Sequence, residues 1–132
     1  MARKEILVVE DQEELRKLEC ILLSSRGYKV EGVADGSSAL SFIASNKPDL
    51  VLLDVMLPDI DGFEICRQIK SNADTSHIQV IMLTAKNSRE DHLMGEQVGA
   101  DGYITKPFRS AAIVETIRKR LSPPLSPAFT TL

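Results

Sequence analysis

The sequence predicts an α/β domain: a single five-stranded parallel sheet with helices on both faces. Two observations carry that expectation. Short apolar runs rich in β-branched residues alternate five times with stretches of helical apolar spacing. Such alternation builds a parallel sheet whose right-handed crossovers place helices on either side. Two of the runs, Leu50 to Leu53 and Val80 to Leu83, are apolar at every position, as strands covered on both faces are. A length of 132 residues suits one such domain and is too short for two.

The first strand is Ile6-Leu7-Val8-Val9, ending at the acidic pair Glu10-Asp11. Gln12 to Arg26 reads as a helix with Leu15, Leu18 and Leu22 on its apolar face, closed by Gly27. Lys29 to Val33 alternates and forms the second strand. Asp35-Gly36-Ser37 starts a helix with Ala39, Leu40, Ile43 and Ala44 on one face, broken by Asn46-Lys47-Pro48. The third strand runs to Asp54. A loop with Pro58 and Gly62 leads to a helix burying Phe63, Cys66 and Ile69, and Gly62 supplies either a positive φ or the helix start. Val80 to Leu83 ends at Thr84. A helix from about Ser88 to Val98 closes at Gly99, Tyr103-Ile104-Thr105 is the last strand, and Ala111 to Leu121 the last helix, with Ile113, Ile117 and Leu121 inward. The tail from Ser122, carrying Pro123, Pro124 and Pro127, reads as a linker or frayed end.

Composition narrows the function classes. Sixteen Lys and Arg against nineteen Asp and Glu give a formal charge of −3, a poor basis for tracking a phosphate backbone, so no direct nucleic-acid binding is expected. Cys20 and Cys66 are far apart and outside any metal-ligand spacing, as expected of two reduced thiols. The amino terminus lacks the apolar region of a signal peptide, and no apolar run approaches ~18 residues. A cytoplasmic protein without a membrane span is expected.

The polar residues that could do chemistry fall just after strand carboxyl ends: Glu10 and Asp11, Asp54, Thr84 and Lys106. Ligands of open α/β sheets bind in the crevice outside those ends, where the strand order reverses. Singly, each has a plainer explanation, and Asp11 is equally well placed to cap the first helix. Together they point to one pocket. Three converging carboxylates repel unless a cation intervenes, and an all-oxygen donor set suits a hard divalent ion, Mg²⁺ or Mn²⁺. Magnesium held by few carboxylates commonly shares a phosphate oxygen, so a phosphoryl group is expected here. Lys106 would offer it a positive charge and Thr84 a hydroxyl. Asp54, ending the most buried strand, is the best nucleophile, leaving Glu10 and Asp11 to hold metal.

Four blocks carry a family resemblance: Val8-Val9-Glu10-Asp11; Leu53-Asp54-Val55-Met56-Leu57-Pro58-Asp59-Ile60-Asp61-Gly62; Leu83-Thr84-Ala85-Lys86; and Gly99 to Phe108, with Lys106-Pro107. In order and spacing they resemble the receiver domain of two-component response regulators, over residues 4–121, with 122–132 as a Pro-rich tail. The resemblance implies a doubly wound, flavodoxin-like (βα)5 fold of strand order 2-1-3-4-5. It implies phosphorylation of Asp54 and Mg²⁺ held by Asp11, Asp54 and the Met56 backbone carbonyl, with Glu10 acting mainly through water. Lys106 would pair with Asp54 before phosphorylation and with the phosphoryl group after it. Thr84 would move toward the phosphoryl oxygen, and Tyr103 would swing inward, altering the face of helix 4, strand 5 and helix 5. Lys106-Pro107 would be cis.

The implied partners are a histidine kinase or phosphotransfer protein and a downstream target, or a fused output domain absent from this chain. The implied activity is a signalling switch with self-catalysed phosphorylation and hydrolysis, not a metabolic enzyme. Met56 offers no hydrogen bond to orient an attacking water, and Lys86 is long enough to reach the mouth of the site. Both are expected to bear on phosphate lifetime. Asp59 and Asp61 read as loop residues bonding local backbone, and His77 and His92 as surface histidines. Three rivals remain: a degenerate receiver acting only by protein contact; an aspartate-nucleophile phosphatase, which wants an acid where Met56 stands; and a flavin protein, whose phosphate loop the acidic run Glu10 to Glu14 does not resemble.

Overall fold

The computed structural model describes residues 3–84 and 89–121. Along them alternate β1 (Glu5–Val9), α1 (Glu13–Ser24), β2 (Lys29–Val33), α2 (Gly36–Asn46), β3 (Leu50–Asp54), α3 (Gly62–Ser71), β4 (Gln79–Thr84), α4 (Arg89–Val98), β5 (Gly102–Thr105) and α5 (Ser110–Leu121). Every pairing is parallel, as the alternation predicts, and the order is β2-β1-β3-β4-β5, as the family resemblance implies. The expected tail, the Lys86 position and the Ser88 helix start lie outside the described residues.

Strand side chains alternate between faces, and two cores result. Leu7, Val9, Val51, Leu53, Val80 and Met82 pack with α2 and α3. Ile6, Val8, Leu50, Leu52, Ile81, Leu83 and Ile104 pack with Leu23 of α1 and Ile113 and Ile117 of α5. β3 is buried at all five positions, which is why its sequence shows no polar alternation. Gly27 and Gly99 close α1 and α4 at φ 93 and 87. α2 ends instead on Lys47 at φ 47, ahead of Pro48. Its start is capped by Asp35, which accepts from the Ser38 N–H at 2.7 Å.

Three local expectations need correction. Leu18 is not on the buried face of α1: it is 56% exposed, while Glu19 is 1% exposed. Leu23, fully buried, sets the inward face about one residue further round than the leucine spacing suggests. Ala44 of α2 is exposed, because the stripe through Ala39 and Ile43 already fills the contact. His92 is only partly exposed and stacks on Tyr103, whereas His77 is exposed as expected. Of the two roles expected for Gly62, the helix start is the one it fills: it opens α3 without a positive φ, which among the described glycines only Gly27 and Gly99 have.

Close approach is what requires Gly62. A Cβ there would stand 2.4 Å from the Asp54 carbonyl oxygen and 2.8 Å from Val55 Cα, since α3 begins directly on the end of β3, with the Gly62 N–H donating to the Val55 carbonyl. Gly62→Ala must therefore push α3 off that strand end. A loss of about 1–3 kcal/mol, the usual cost of overpacking, is expected in urea denaturation. An unchanged midpoint would show that the loop yields freely.

Candidate functional site

Strand register decides where the chemistry gathers. Glu10, Asp54 and Lys106 are each two residues beyond a side chain of the α1/α5 core, namely Val8, Leu52 and Ile104. They therefore continue those rows at the carboxyl edge of the sheet, on neighbouring or next-neighbouring strands. Thr84 continues the opposite row, after Val80 and Met82. Tyr103 pairs with Met82 across the β4–β5 ladder and lies on the same α4 side.

Four of the five expected residues, Glu10, Asp11, Asp54 and Lys106, come together as expected. Lys106 Nζ donates to Asp54 Oδ2 at 2.9 Å and to Glu10 Oε1 at 3.4 Å. Glu10, Asp11 and Asp54 each offer a carboxylate oxygen, and these lie within 4.8 Å of one another. Asp11, Gln12, Asp54, Met56 and Lys106 line a cavity of about 370 Å³. Asp11 is not a helix cap: Gln12 occupies the N-cap position of α1, with no side-chain cap bond. Its exposed carboxylate faces the cluster instead.

Backbone groups hold the acids. Asp54 Oδ1 accepts from the Met56 N–H at 2.9 Å, and Glu10 Oε2 from the Gln12 N–H at 3.2 Å. Arg16 donates from α1 to the Glu10 carbonyl at 2.9 Å, tying the loop that carries Asp11 to the helix after it. Asp61 caps α3 through the Phe63 N–H, the local bond expected of it. Asp59 reaches further, accepting from Gly36 and Ser37 at the start of α2 at 2.8 and 2.9 Å, and so anchors the β3–α3 loop to a neighbouring helix. The Lys106-Pro107 bond is cis, and the Lys106 N–H donates to the Thr84 carbonyl at 2.7 Å.

The electrostatics favour an added cation. Burial, then the Asp54 charge, pushes Glu10 up to about 7, with Lys106 only partly offsetting them. Burial also works against the Lys106 ammonium, but its bond to Asp54 and the charges of Asp54 and Glu10 hold it above the usual lysine range. Crowded oxygen donors with one ammonium among them suit a hard divalent ion; Glu10, Asp11 and Asp54 are the side chains that would hold it.

One acid was not legible as part of this surrounding. Glu19 points inward from α1, and both its carboxyl oxygens are buried without a partner. Burial, reinforced by the Glu10 charge, raises it to about 8. The only signal in the sequence is an acid in a helical stripe next to apolar residues, which ordinarily marks a solvated position.

A doubly wound sheet of this order, bearing acids and a lysine at its switch point, defines the chemotaxis-regulator-like class of folds. The chain belongs to the response regulator receiver domain family, whose model matches residues 6–118. It is 43% identical over 133 residues to the response regulator MprA of Mycobacterium sp. (strain KMS), covering 96% of this chain and 57% of that protein. It is 40% identical over 119 residues to the DNA-binding response regulator MtrA of Mycolicibacterium smegmatis, covering 90% of this chain and 51% of that protein. The chain thus spans little more than half the length of these relatives. Among solved structures, a putative response regulator from Chloroflexus aurantiacus superimposes with a TM-score of 0.87 at 30% identity, over 92% of this chain and all of that one. The Vibrio cholerae chemotaxis protein CheY4 gives 0.86 at 31%, over 91% of this chain and all of that one. No helix of the described residues is long and apolar enough to cross a membrane.

Glu19 makes stability depend on pH. Its carboxyl holds a proton in the folded chain up to about 8, against an ordinary 4.5, so between these values the unfolded chain binds fewer protons. Stability therefore falls as pH rises through that window, by about 1.4 kcal/mol per unit for one group, and Glu10 adds to the slope up to about 7. Glu19→Gln is expected to flatten the profile by close to one proton when urea midpoints are compared from pH 5 to pH 8. Parallel profiles would mean that the carboxyl finds a partner or solvent.

Proposed function

We propose that this domain, residues 4–121, is a phosphoacceptor switch that takes a phosphoryl group onto Asp54 from the phosphohistidine of a histidine kinase or phosphotransfer protein. The observation that carries this reading is Lys106 Nζ at 2.9 Å from Asp54 Oδ2, inside a cluster of three carboxylates at the carboxyl edge of the sheet. One Asp54 oxygen forms the new bond to phosphorus as the bond from phosphorus to the donor's imidazole nitrogen breaks, and the freed imidazole leaves with that electron pair. Lys106 is placed to follow the developing charge from the carboxylate to the phosphoryl oxygens. Magnesium, or manganese, held by Glu10, Asp11, Asp54 and the Met56 carbonyl would neutralise phosphoryl charge during transfer. Thr84 would offer its hydroxyl to the phosphoryl group, and the α4–β5–α5 face would respond through Tyr103.

The reading places the protein in two-component signalling in the cytoplasm, without a metabolic turnover of its own. Its output would pass to a downstream protein or to an output domain beyond these residues. The name of the MtrA relative records DNA binding for that longer protein. For the receiver alone, with its acidic balance, we propose protein contact and no direct nucleic-acid contact.

Intact mass after incubation with acetyl phosphate and Mg²⁺ is expected to show a single phosphate adduct that is absent in Asp54→Asn and in the presence of excess EDTA. No adduct on the unaltered chain would leave the degenerate receiver as the reading. Met56, 71% exposed at the mouth of the site, presents a thioether where a polar side chain would hold a water. Met56→Asn is expected to shorten the lifetime of the adduct severalfold, followed as loss of the phosphate mass with time. Equal lifetimes would remove that role.

A further inference from the structure

Tyr103 leaves β5 toward α4 and rests on one turn of that helix. Its hydroxyl donates to the His92 carbonyl at 3.1 Å. The His92 imidazole lies against the phenol ring, centroids 4.8 Å apart and planes within 10°. Gly95, one turn further along α4 and buried, is what leaves room for the ring. A Cβ at Gly95 would stand 1.8 Å from Tyr103 Oη, 2.3 Å from Cε1 and 2.4 Å from Cζ. No backbone requirement explains this glycine: it sits inside a helix without a positive φ, where it costs about 1 kcal/mol relative to alanine. The imidazole also gives something up, since His92 Nε2 is buried with no partner among the described residues. Helix propensity and polar satisfaction are both sacrificed around one aromatic ring.

We propose that Gly95 and His92 form a seat that holds the Tyr103 side chain in its resting rotamer, so that α4 sets the free energy against which phosphorylation of Asp54 must work. The inference rests on the phosphoacceptor reading above and names its restraint. Tyr103 lies on the sheet face to which Thr84 belongs, one ladder step away: Met82 pairs with Tyr103 and Thr84 with Thr105. If Thr84 moves toward a phosphoryl oxygen, Tyr103 enters the space only by giving up the hydroxyl bond, the stack and the contact over Gly95 together. Gly95 and His92 touch neither the acids nor Lys106; they are positioning residues. A ligand favouring the unseated state must bind more tightly once the seat is blocked, because the cost of unseating has already been met.

The test uses the full chain carrying Tyr28→Phe, which leaves Tyr103 as its sole tyrosine. Beryllofluoride with Mg²⁺, a stable phosphoryl mimic, is titrated while the Tyr103 ring resonances are followed by NMR. Gly95→Ala is expected to shift the ring resonances away from the stacked position and to tighten beryllofluoride binding by about fivefold or more. His92→Ala, which removes the stack without adding bulk, is expected to act in the same direction and covers the case in which the alanine at 95 distorts α4. In a Tyr103→Ala background, Gly95→Ala is expected to leave the affinity unchanged. Unaltered affinity in both seat variants despite moved ring resonances would overturn the proposal. So would tightening that persists without Tyr103. Failure of the unaltered chain to form any adduct at Asp54 is a distinct result: it removes the phosphoacceptor reading itself, and this inference with it.

Discussion

The bond from Lys106 to Asp54 is the interaction on which the site depends. Glu10 is fully buried and Asp54 nearly so, and carboxylates removed from water at such spacing are tolerated only with compensation. Lys106 provides part of it from the far edge of the sheet, reaching across β4 to β3. The reach is short enough because the Lys106 N–H is bonded to the Thr84 carbonyl and the Val55 N–H to the Leu83 carbonyl, so β4 fixes both partners. The compensation is incomplete. Burial first, and then the Asp54 charge, leaves Glu10 holding a proton up to about 7. Glu10, Asp11 and Asp54 are the oxygen donors a second cation would find there.

The parity of the strands divides this small edge into two halves. Residues in step with Val8, Leu52 and Ile104 place their polar successors on the α1/α5 side, where charge is collected. Residues in step with Met82 place Thr84 and Tyr103 on the α4 side. A single parallel ladder thus holds a charged pocket and an aromatic side chain back to back, with Thr84 and Lys106 joined through the backbone between them. Only β4 and β5, paired directly, lie between the two halves.

Much of this was legible in the sequence, for a physical reason. A strand buried on both faces has almost no polar vocabulary, so an acid, threonine or lysine at its end stands out, and a parallel topology brings all those ends to one edge. Glu10, Asp11, Asp54, Thr84 and Lys106 could be read in that way. What depended on helix rotation could not. The leucines of α1 suggest Leu18 inward, and only packing around Leu23 shows that Glu19 takes that place. The reach of Asp59 to the start of α2 and the stack of His92 on Tyr103 are contacts between separate elements, with no local pattern to announce them. Gly95 looks like an ordinary helix residue, and Gly62 like a turn or helix start, until the atom opposite each missing Cβ is known.

The polar atoms left without partners also have a meaningful distribution. Buried polar groups elsewhere are satisfied even where the bonds are awkward: Thr75 reaches the Ile69 carbonyl, Asp101 takes the Val80 N–H together with Lys70, and the Cys66 thiol leans on the Val98 carbonyl. Among the described residues the orphans are the two oxygens of Glu19 and His92 Nε2. Glu19 feels the Glu10 charge; His92 lies under the tyrosine on the other side of the sheet. Unsatisfied groups of this kind cost on the order of 1–3 kcal/mol each, and they persist where surrounding packing overrules them. Both orphaned side chains thus border this edge of the sheet: Glu19, buried on the α1 face, through the Glu10 charge, and His92 through the Tyr103 ring.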